Sequence, residues 1–131
     1  MAHTTSLKVR FYELDPYDHV NHTNYLNYFE TARIEALTEI GYGLDQLKKL
    51  GVQIVLVEIR AQFHASATLH EVLDITTRLV RVNRASSEWA QIASRDGETI
   101  ANLEVRSAFT DLEGKPCRAP AGFAEAAARL S

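Results

Sequence analysis

The sequence predicts an α+β fold in which a curved antiparallel sheet wraps one long helix. Three observations point there. An apolar stripe at helical spacing follows a first strand-like segment, period-two alternation dominates what comes after, and an Asp-Gly pair joins two of the alternating segments. One helix followed by four strands in succession can bury its stripe against the sheet those strands make.

Taken in order, residues 7–13, LKVRFYE, place Leu7, Val9 and Phe11 on one face and Lys8 and Arg10 on the other, so a first strand is expected there. Between His22 and Ile40 the residues Tyr25, Phe29, Ala32, Ala36 and Ile40 recur at steps of three and four, which puts them on one side of a helix. Leu26, Ile34 and Leu37 widen that stripe, and so broad an apolar surface predicts a largely enclosed helix. Gly41 and Gly43 offer its stop.

Val57, Ile59, Ala61 and Phe63 then alternate with Glu58, Arg60, Gln62 and His64, the pattern of a half-buried strand. The same period runs through Leu73, Ile75, Thr77 and Leu79, through Trp89, Gln91 and Ala93, and through Ala101, Leu103, Val105, Ser107 and Phe109. Asp96-Gly97 predicts a tight hairpin, because glycine accepts positive φ without a Cβ penalty. The Ala-rich, Pro-preceded stretch Ala119 to Leu130 predicts a short C-terminal helix.

A chain of 131 residues with 46% hydrophobic side chains suits a single domain over residues 1–131 without a linker. Its net charge of −3 comes from 17 acidic and 14 basic residues with no run of Lys or Arg, which argues against nucleic acid and anionic membrane as partners. No apolar stretch approaches the roughly 20 residues of a bilayer span, and the start MAHTTSLKVRF lacks a basic-then-apolar leader. The expected compartment is the cytoplasm. Cys117 is the sole cysteine and follows the turn-like DLEGKP, so it is expected to be structural rather than nucleophilic.

Residues 13–25, ELDPYDHVNHTNY, interrupt the strand pattern and concentrate the side chains that do chemistry. A helix start presents unpaired N–H groups and about half a positive charge, a place to stabilise an oxyanion formed at a carbonyl. A carboxylate a few residues upstream could then attack that carbonyl or activate water. Asn21 or Thr23 suits the N-cap, because a short side-chain oxygen accepts from an N–H two or three residues on.

Taken alone, Asp15-Pro16 is a turn device, Asp18 is a solvated residue or a partner of Arg33, and His19 anchors the loop. His19 and His22 match no metal-ligand spacing, and His64 and His70 lie on other elements with no reason to converge, so no metal is expected. Tyr28 and Phe29 suit the core, and Glu30 and Arg33 a surface pair.

The segment ELDPYDHVNHTNYLNYFETAR resembles the signature of 4-hydroxybenzoyl-CoA thioesterases and the related YbgC-type acyl-CoA thioesterases. The order of strands in the rest of the chain agrees with that family. The resemblance implies a hotdog fold that hydrolyses an acyl- or aroyl-CoA thioester, with Asp15 as nucleophile or general base and the His22 backbone N–H as oxyanion donor. The family's pattern falls here on Asp15, Val20, His22, Asn24 and Tyr25; it aligns the His22 side chain with a histidine of the YbgC-type branch and gives Tyr25 a reason to approach the substrate, for which Asn21 is a further candidate contact. The loop here reads PYDH where many relatives have a glycine.

Coenzyme A carries phosphates, for which Arg81 and Arg84, beside Ser86 and Ser87, are the candidate contacts. The resemblance also implies an active site between subunits of a homodimer or homotetramer, with no cofactor beyond the coenzyme A of the substrate. Leu56, Phe63 and Trp89 would set the depth of the acyl pocket. Two other functions fit the same fold: hydration or dehydration of an acyl thioester, and binding of acyl-CoA or acyl carrier protein without turnover.

Overall fold

Asp96 and Gly97 both take positive φ, 50° and 83°, as a two-residue hairpin of the primed type requires. They join β4 (Ser86–Arg95) to β5 (Glu98–Asp111) in the computed structural model, which describes residues 1–131. With β1 (His3–Lys8), β2 (Val52–Phe63) and β3 (Val72–Val82) these make one five-stranded sheet, ordered β1-β3-β4-β5-β2, with every neighbouring pair antiparallel. The inward residues of β3, β4 and β5 are those the alternation predicts, from Leu73, Ile75 and Thr77 through Trp89 and Gln91 to Leu103 and Phe109, all buried. Bulges at Leu56/Glu58, Leu79/Arg81 and Ala93/Ser94 bend and twist the strands.

Helix α1 spans His22–Glu39 and packs Tyr25, Tyr28, Phe29, Ala32, Ala36 and Leu37 into the core cluster. It ends in a Schellman motif: Gly41, at φ 86°, donates to Thr38 O, and Tyr42 donates to Leu37 O at 2.9 Å. A short α2 (Leu44–Lys49) follows, which the sequence pattern did not suggest. The C-terminal helix is shorter than the Ala-rich stretch: α3 covers Phe123–Ala127, and its Phe123 ring is buried edge-on against Tyr42 and Phe109. Cys117 is half-buried against the core, its N–H bonded to Phe109 O. No helix is long and apolar enough to cross a membrane.

Four expectations are corrected. The first strand covers residues 3–8 rather than 7–13, because the chain turns out of the sheet into a 3-10 turn at Phe11–Glu13 and leaves Phe11 74% exposed. α1 is not enclosed: it packs over β1 and β3, and Leu26, Asn27, Glu30 and Thr31 face outward. Strand β2 is consequently an edge with little above it, and Val57, Ile59 and Phe63 are 52%, 40% and 41% exposed rather than half-buried in a core.

Arg33 is the fourth correction, being buried rather than paired with Glu30 or Asp18 on the surface. Its guanidinium donates to Gln91 Oε1 at 2.8 Å, while Gln91 Nε2 donates to Phe29 O and Thr77 Oγ1. A buried polar group must find partners within the protein, and this network supplies them.

Candidate active site

Between Leu14 and Val20, which pair as an isolated antiparallel bridge, the chain folds into a tight loop closed by Asp15 N–H donating to His19 O at 2.7 Å. Asp15 Oδ1 accepts the Tyr17 N–H at 2.8 Å and the His19 N–H at 3.2 Å. The Tyr17 N–H foremost, then the His19 N–H and the charges of His19 and His22, hold the Asp15 carboxyl below its ordinary value against a smaller opposing effect of burial. Asp18 takes φ 63°, a left-handed conformation that glycine adopts freely and that an aspartate tolerates. The departure in sequence therefore leaves a glycine-like turn in place.

The helix start faces this loop. Asn21 is the N-cap, its Oδ1 accepting from Thr23 N–H at 3.0 Å and from Thr23 Oγ1 at 2.8 Å. Its backbone oxygen accepts from the N–H groups of Asn24 and Tyr25. The His22 N–H alone among these first four has no hydrogen-bond partner in the protein. An unpaired donor at the positive end of an 18-residue helix is what an oxyanion needs.

Asp15 and His22 line one cavity of about 270 Å³ together with His19, Val20, Tyr25, Phe63, His64, Ala65 and Ser66. The His22 ring packs edge-on against Phe63 at 4.7 Å, and Tyr25 lies against Phe63 at 5.3 Å. The Tyr25 hydroxyl is buried without a hydrogen-bond partner, the Ala67 backbone lying near but outside bonding geometry. Burial raises the phenol above its usual value.

The tertiary structure brings together Asp15, His22 and Tyr25, and uses the Asn21 side chain as a cap. It does not bring Arg81, Arg84 or Ser86 there. Arg81 pairs with Glu88 at 3.5 Å, Ser86 Oγ accepts from Asn83, and Arg84 is exposed in the same hairpin. Ser86 pairs with Ala108 and Ile92 with Asn102, so within one chain that hairpin lies roughly 20 Å along β4 from the cavity end of the sheet. Of the residues expected to set acyl depth, Phe63 lines the Asp15 cavity, whereas Leu56 and Trp89 line a second one of about 240 Å³ with Ile34, Leu37 and Arg33.

Two side chains around the cavity escaped the sequence pattern. His64, expected to lie apart, lines the same cavity as His19 and His22. Glu13, taken as the end of a strand, is 5% exposed and ties the two halves of the site together. Its carboxylate accepts from Arg10 N–H at 2.8 Å, from the Arg10 guanidinium at 2.7 Å and from Tyr28 OH at 2.7 Å. Its backbone oxygen accepts from Asn21 N–H at 2.9 Å and Asn24 Nδ2 at 3.0 Å. Burial opposes the Glu13 charge, but the bonds from Arg10 and Tyr28 outweigh it and hold the carboxyl below its ordinary value. The same burial and the bond to Glu13 push the Tyr28 phenol up. The available signal was Glu13 three residues after Arg10, the spacing of a reciprocal pair across one turn.

Known proteins match this architecture and this segment. The model of the thioesterase-like superfamily matches residues 9–127. The long-chain acyl-CoA thioesterase FadM of Escherichia coli (strain K12) is 31% identical over 111 residues, 83% of each chain. The chloroplastic acyl-acyl carrier protein thioesterase ATL3 of Arabidopsis thaliana is 38% identical over 92% of this chain and 65% of its own. The crystal structure of a probable thioesterase from Bartonella henselae, 26% identical, superposes with a TM-score of 0.87 over 92% of this chain and all of that one. The chain belongs to the thioesterase-like superfamily and is a hotdog-fold thioester hydrolase.

Proposed function

We propose that the enzyme hydrolyses an acyl-CoA at the cavity shared by Asp15 and the start of α1. The observation that carries this reading is the unbonded His22 N–H at a helix start beside an ionised carboxylate in one cavity. The thioester carbonyl oxygen accepts from the His22 N–H, and Asp15 attacks the carbonyl carbon. The C–S bond breaks, coenzyme A leaves as thiolate, and water hydrolyses the resulting anhydride to free acid. Asp15 suits the nucleophile better than the base, because a carboxyl held low accepts a proton poorly near neutrality. No metal or redox group takes part.

The acyl group proposed is an aliphatic chain, lying in the trough between α1 and β2 that Phe63, Ile59 and Leu56 line with apolar surface. The partner proposed is a second copy of the chain, added at the β2 edge, which would cover that surface and complete the wall of the trough. FadM, named for long-chain acyl-CoA, and the carrier-protein specificity in the name of ATL3 set the two donor classes to compare.

The test is thiol release from aromatic, short-chain and long-chain acyl-CoAs and from acyl-acyl carrier protein, using wild type, Asp15→Ala and Asp15→Asn. We expect a long aliphatic acyl-CoA to stand above the rest and both variants to lose on the order of 10³-fold or more in kcat. Full activity in both variants would remove Asp15 from the mechanism. Tight coenzyme A binding without turnover of any thioester would make the chain a binding domain.

A further inference from the structure

The cavity that Leu56 and Trp89 line and the cavity that holds Asp15 lie on one face of the sheet, at opposite ends of one trough. Along β2, Phe63, Ala61, Ile59, Leu56 and Ile54 stand opposite Ala101, Leu103, Val105, Ser107 and Phe109 of β5, all of them buried. Residues directly opposite share a face, so these five β2 side chains point to the side on which α1 lies. At one end Phe63 meets His22 and Tyr25; at the other, Leu56 and Ile54 enclose a cavity with Ile34 and Leu37. The helix row His22, Leu26, Glu30 and Ile34, at steps of four, joins the two ends. Between them Leu26 and Ile59 are 37% and 40% exposed and leave apolar surface open.

The polar groups in the floor of the far cavity are spent on one another. Trp89 Nε1 donates to Ser87 Oγ at 3.1 Å, and Ser107 Oγ bonds the same oxygen at 2.7 Å. Arg33, the cation in its wall, is turned to Gln91 Oε1. What remains for a ligand is chiefly hydrocarbon surface. From His22 to Ile34 and Leu37 the helix rises about 18 and 22 Å, and from Phe63 to Leu56 the strand covers roughly 20 Å. Carbon–carbon bonds of about 1.5 Å at about 111° advance an extended alkyl chain by about 1.25 Å per carbon.

We propose that the cavity walled by Ile34, Leu37, Leu56 and Trp89 seats the terminal methyl of the acyl chain, so that its distance from the His22 N–H selects chains of roughly 14 to 18 carbons. This rests on the thioesterase reading above and on its placing the carbonyl at His22. Selection acts through burial: each methylene drawn from water lowers KM roughly two- to fourfold, until the chain meets Leu37 and Leu44.

The experiment measures thiol release from straight-chain acyl-CoAs of roughly 6 to 20 carbons and their ω-carboxyl counterparts, a range that brackets the span of the trough. It uses wild type, Ile34→Trp and Leu56→Trp, with folding checked by circular dichroism. The two variants fill the cavity from α1 and from β2, at positions that are both partly exposed. We expect the wild type to favour about 14 to 18 carbons and both variants about 10, the reach of the trough as far as Glu30. The ratio of kcat/KM for a chain of about 16 carbons over one of about 8 should fall about 10²-fold in each. Trp89 is the only tryptophan, so its emission in the wild type reports occupation of the cavity without turnover. A non-hydrolysable thioether analogue of about 16 carbons should shift that emission well beyond the response to one of about 8. A chain-length profile unchanged in both variants, or a loss by the same factor at every length, would overturn the proposal. So would an equal emission response to the two analogues, or a preference for the ω-carboxyl chain, which Arg33 would draw, over the methyl chain of equal length. Failure of the wild type to release thiol from any thioester would instead overturn the thioesterase reading itself.

Discussion

Residues 13–28 and strand β2 stand at opposite extremes of satisfaction within one cavity. In the first, the carboxylates of Glu13 and Asp15 and the cap are spoken for: Glu13 takes bonds from Arg10, Tyr28, Asn21 and Asn24, Asp15 from Tyr17 and His19, and Asn21 from Thr23. In the second, apolar Val55, Leu56, Val57, Ile59 and Phe63 are exposed along an edge whose outer backbone groups pair with nothing in the chain. The first segment is held together within one chain, and it contains the carboxylate proposed to attack and the N–H proposed to take the oxyanion. The second is an uncovered edge, and it is there that the proposed second copy and acyl chain would lie. Local bonds order the first segment, while the second offers apolar surface that the chain itself leaves uncovered.

That contrast can be broken most severely from the β2 side. Ile59→Lys places a charge in the apolar edge. At about 1.5–3 kcal/mol per buried side chain, counted twice in a symmetric dimer, it should weaken self-association by roughly 10²- to 10⁴-fold. Sedimentation is expected to show a dimer for the wild type and a monomer for the variant, with activity falling in parallel. Activity that survives in a demonstrated monomer would show that the single chain carries the whole site.

Glu13→Gln attacks the satisfied segment. It keeps the shape and removes the charge that Arg10 and Tyr28 bond, and should cost about 1–3 kcal/mol in denaturant unfolding. The sign with pH is fixed by the direction of the shift. A carboxyl lowered on folding contributes stability that is fully present above its unfolded value and is lost as pH falls through its folded value. Wild type should therefore lose stability from about pH 4.5 downward, and Glu13→Gln should lose less over the same range. An equally steep acid limb in the variant would place the titrating group elsewhere. Asn21→Ala, which removes only the cap, should cost about 1 kcal/mol and leave the His22 N–H in place, lowering kcat less than Glu13→Gln does.

Where local chemistry decides structure, the sequence was legible. The helix from His22, a cap at Asn21 or Thr23, a glycine stop at Gly41 or Gly43, the Asp96-Gly97 hairpin and the inward faces of β3, β4 and β5 all follow from periodicity and turn chemistry. So does the juxtaposition of Asp15 with the helix start, since only a closed loop of a few residues separates them.

Distant contacts decided the rest. β1 occupies His3–Lys8 because those residues pair with β3, a partner some seventy positions away that no alternation within HTTSLK announces. Arg33 is buried because Gln91, on the strand beneath, accepts from it. His64 lies at the cavity end, and Arg81 and Arg84 do not, because the end of β2 pairs with the start of β5 beside the β4–β5 hairpin, while the β3–β4 hairpin closes the opposite end of the sheet. The sequence by itself determined α1, the inward faces of β3, β4 and β5, and the carboxylate at the helix start, because those depend on bonds and spacings within a few residues. Only the tertiary structure decided which strand is left as an edge and which histidine joins Asp15, because strand order is set by pairings between residues far apart in the chain.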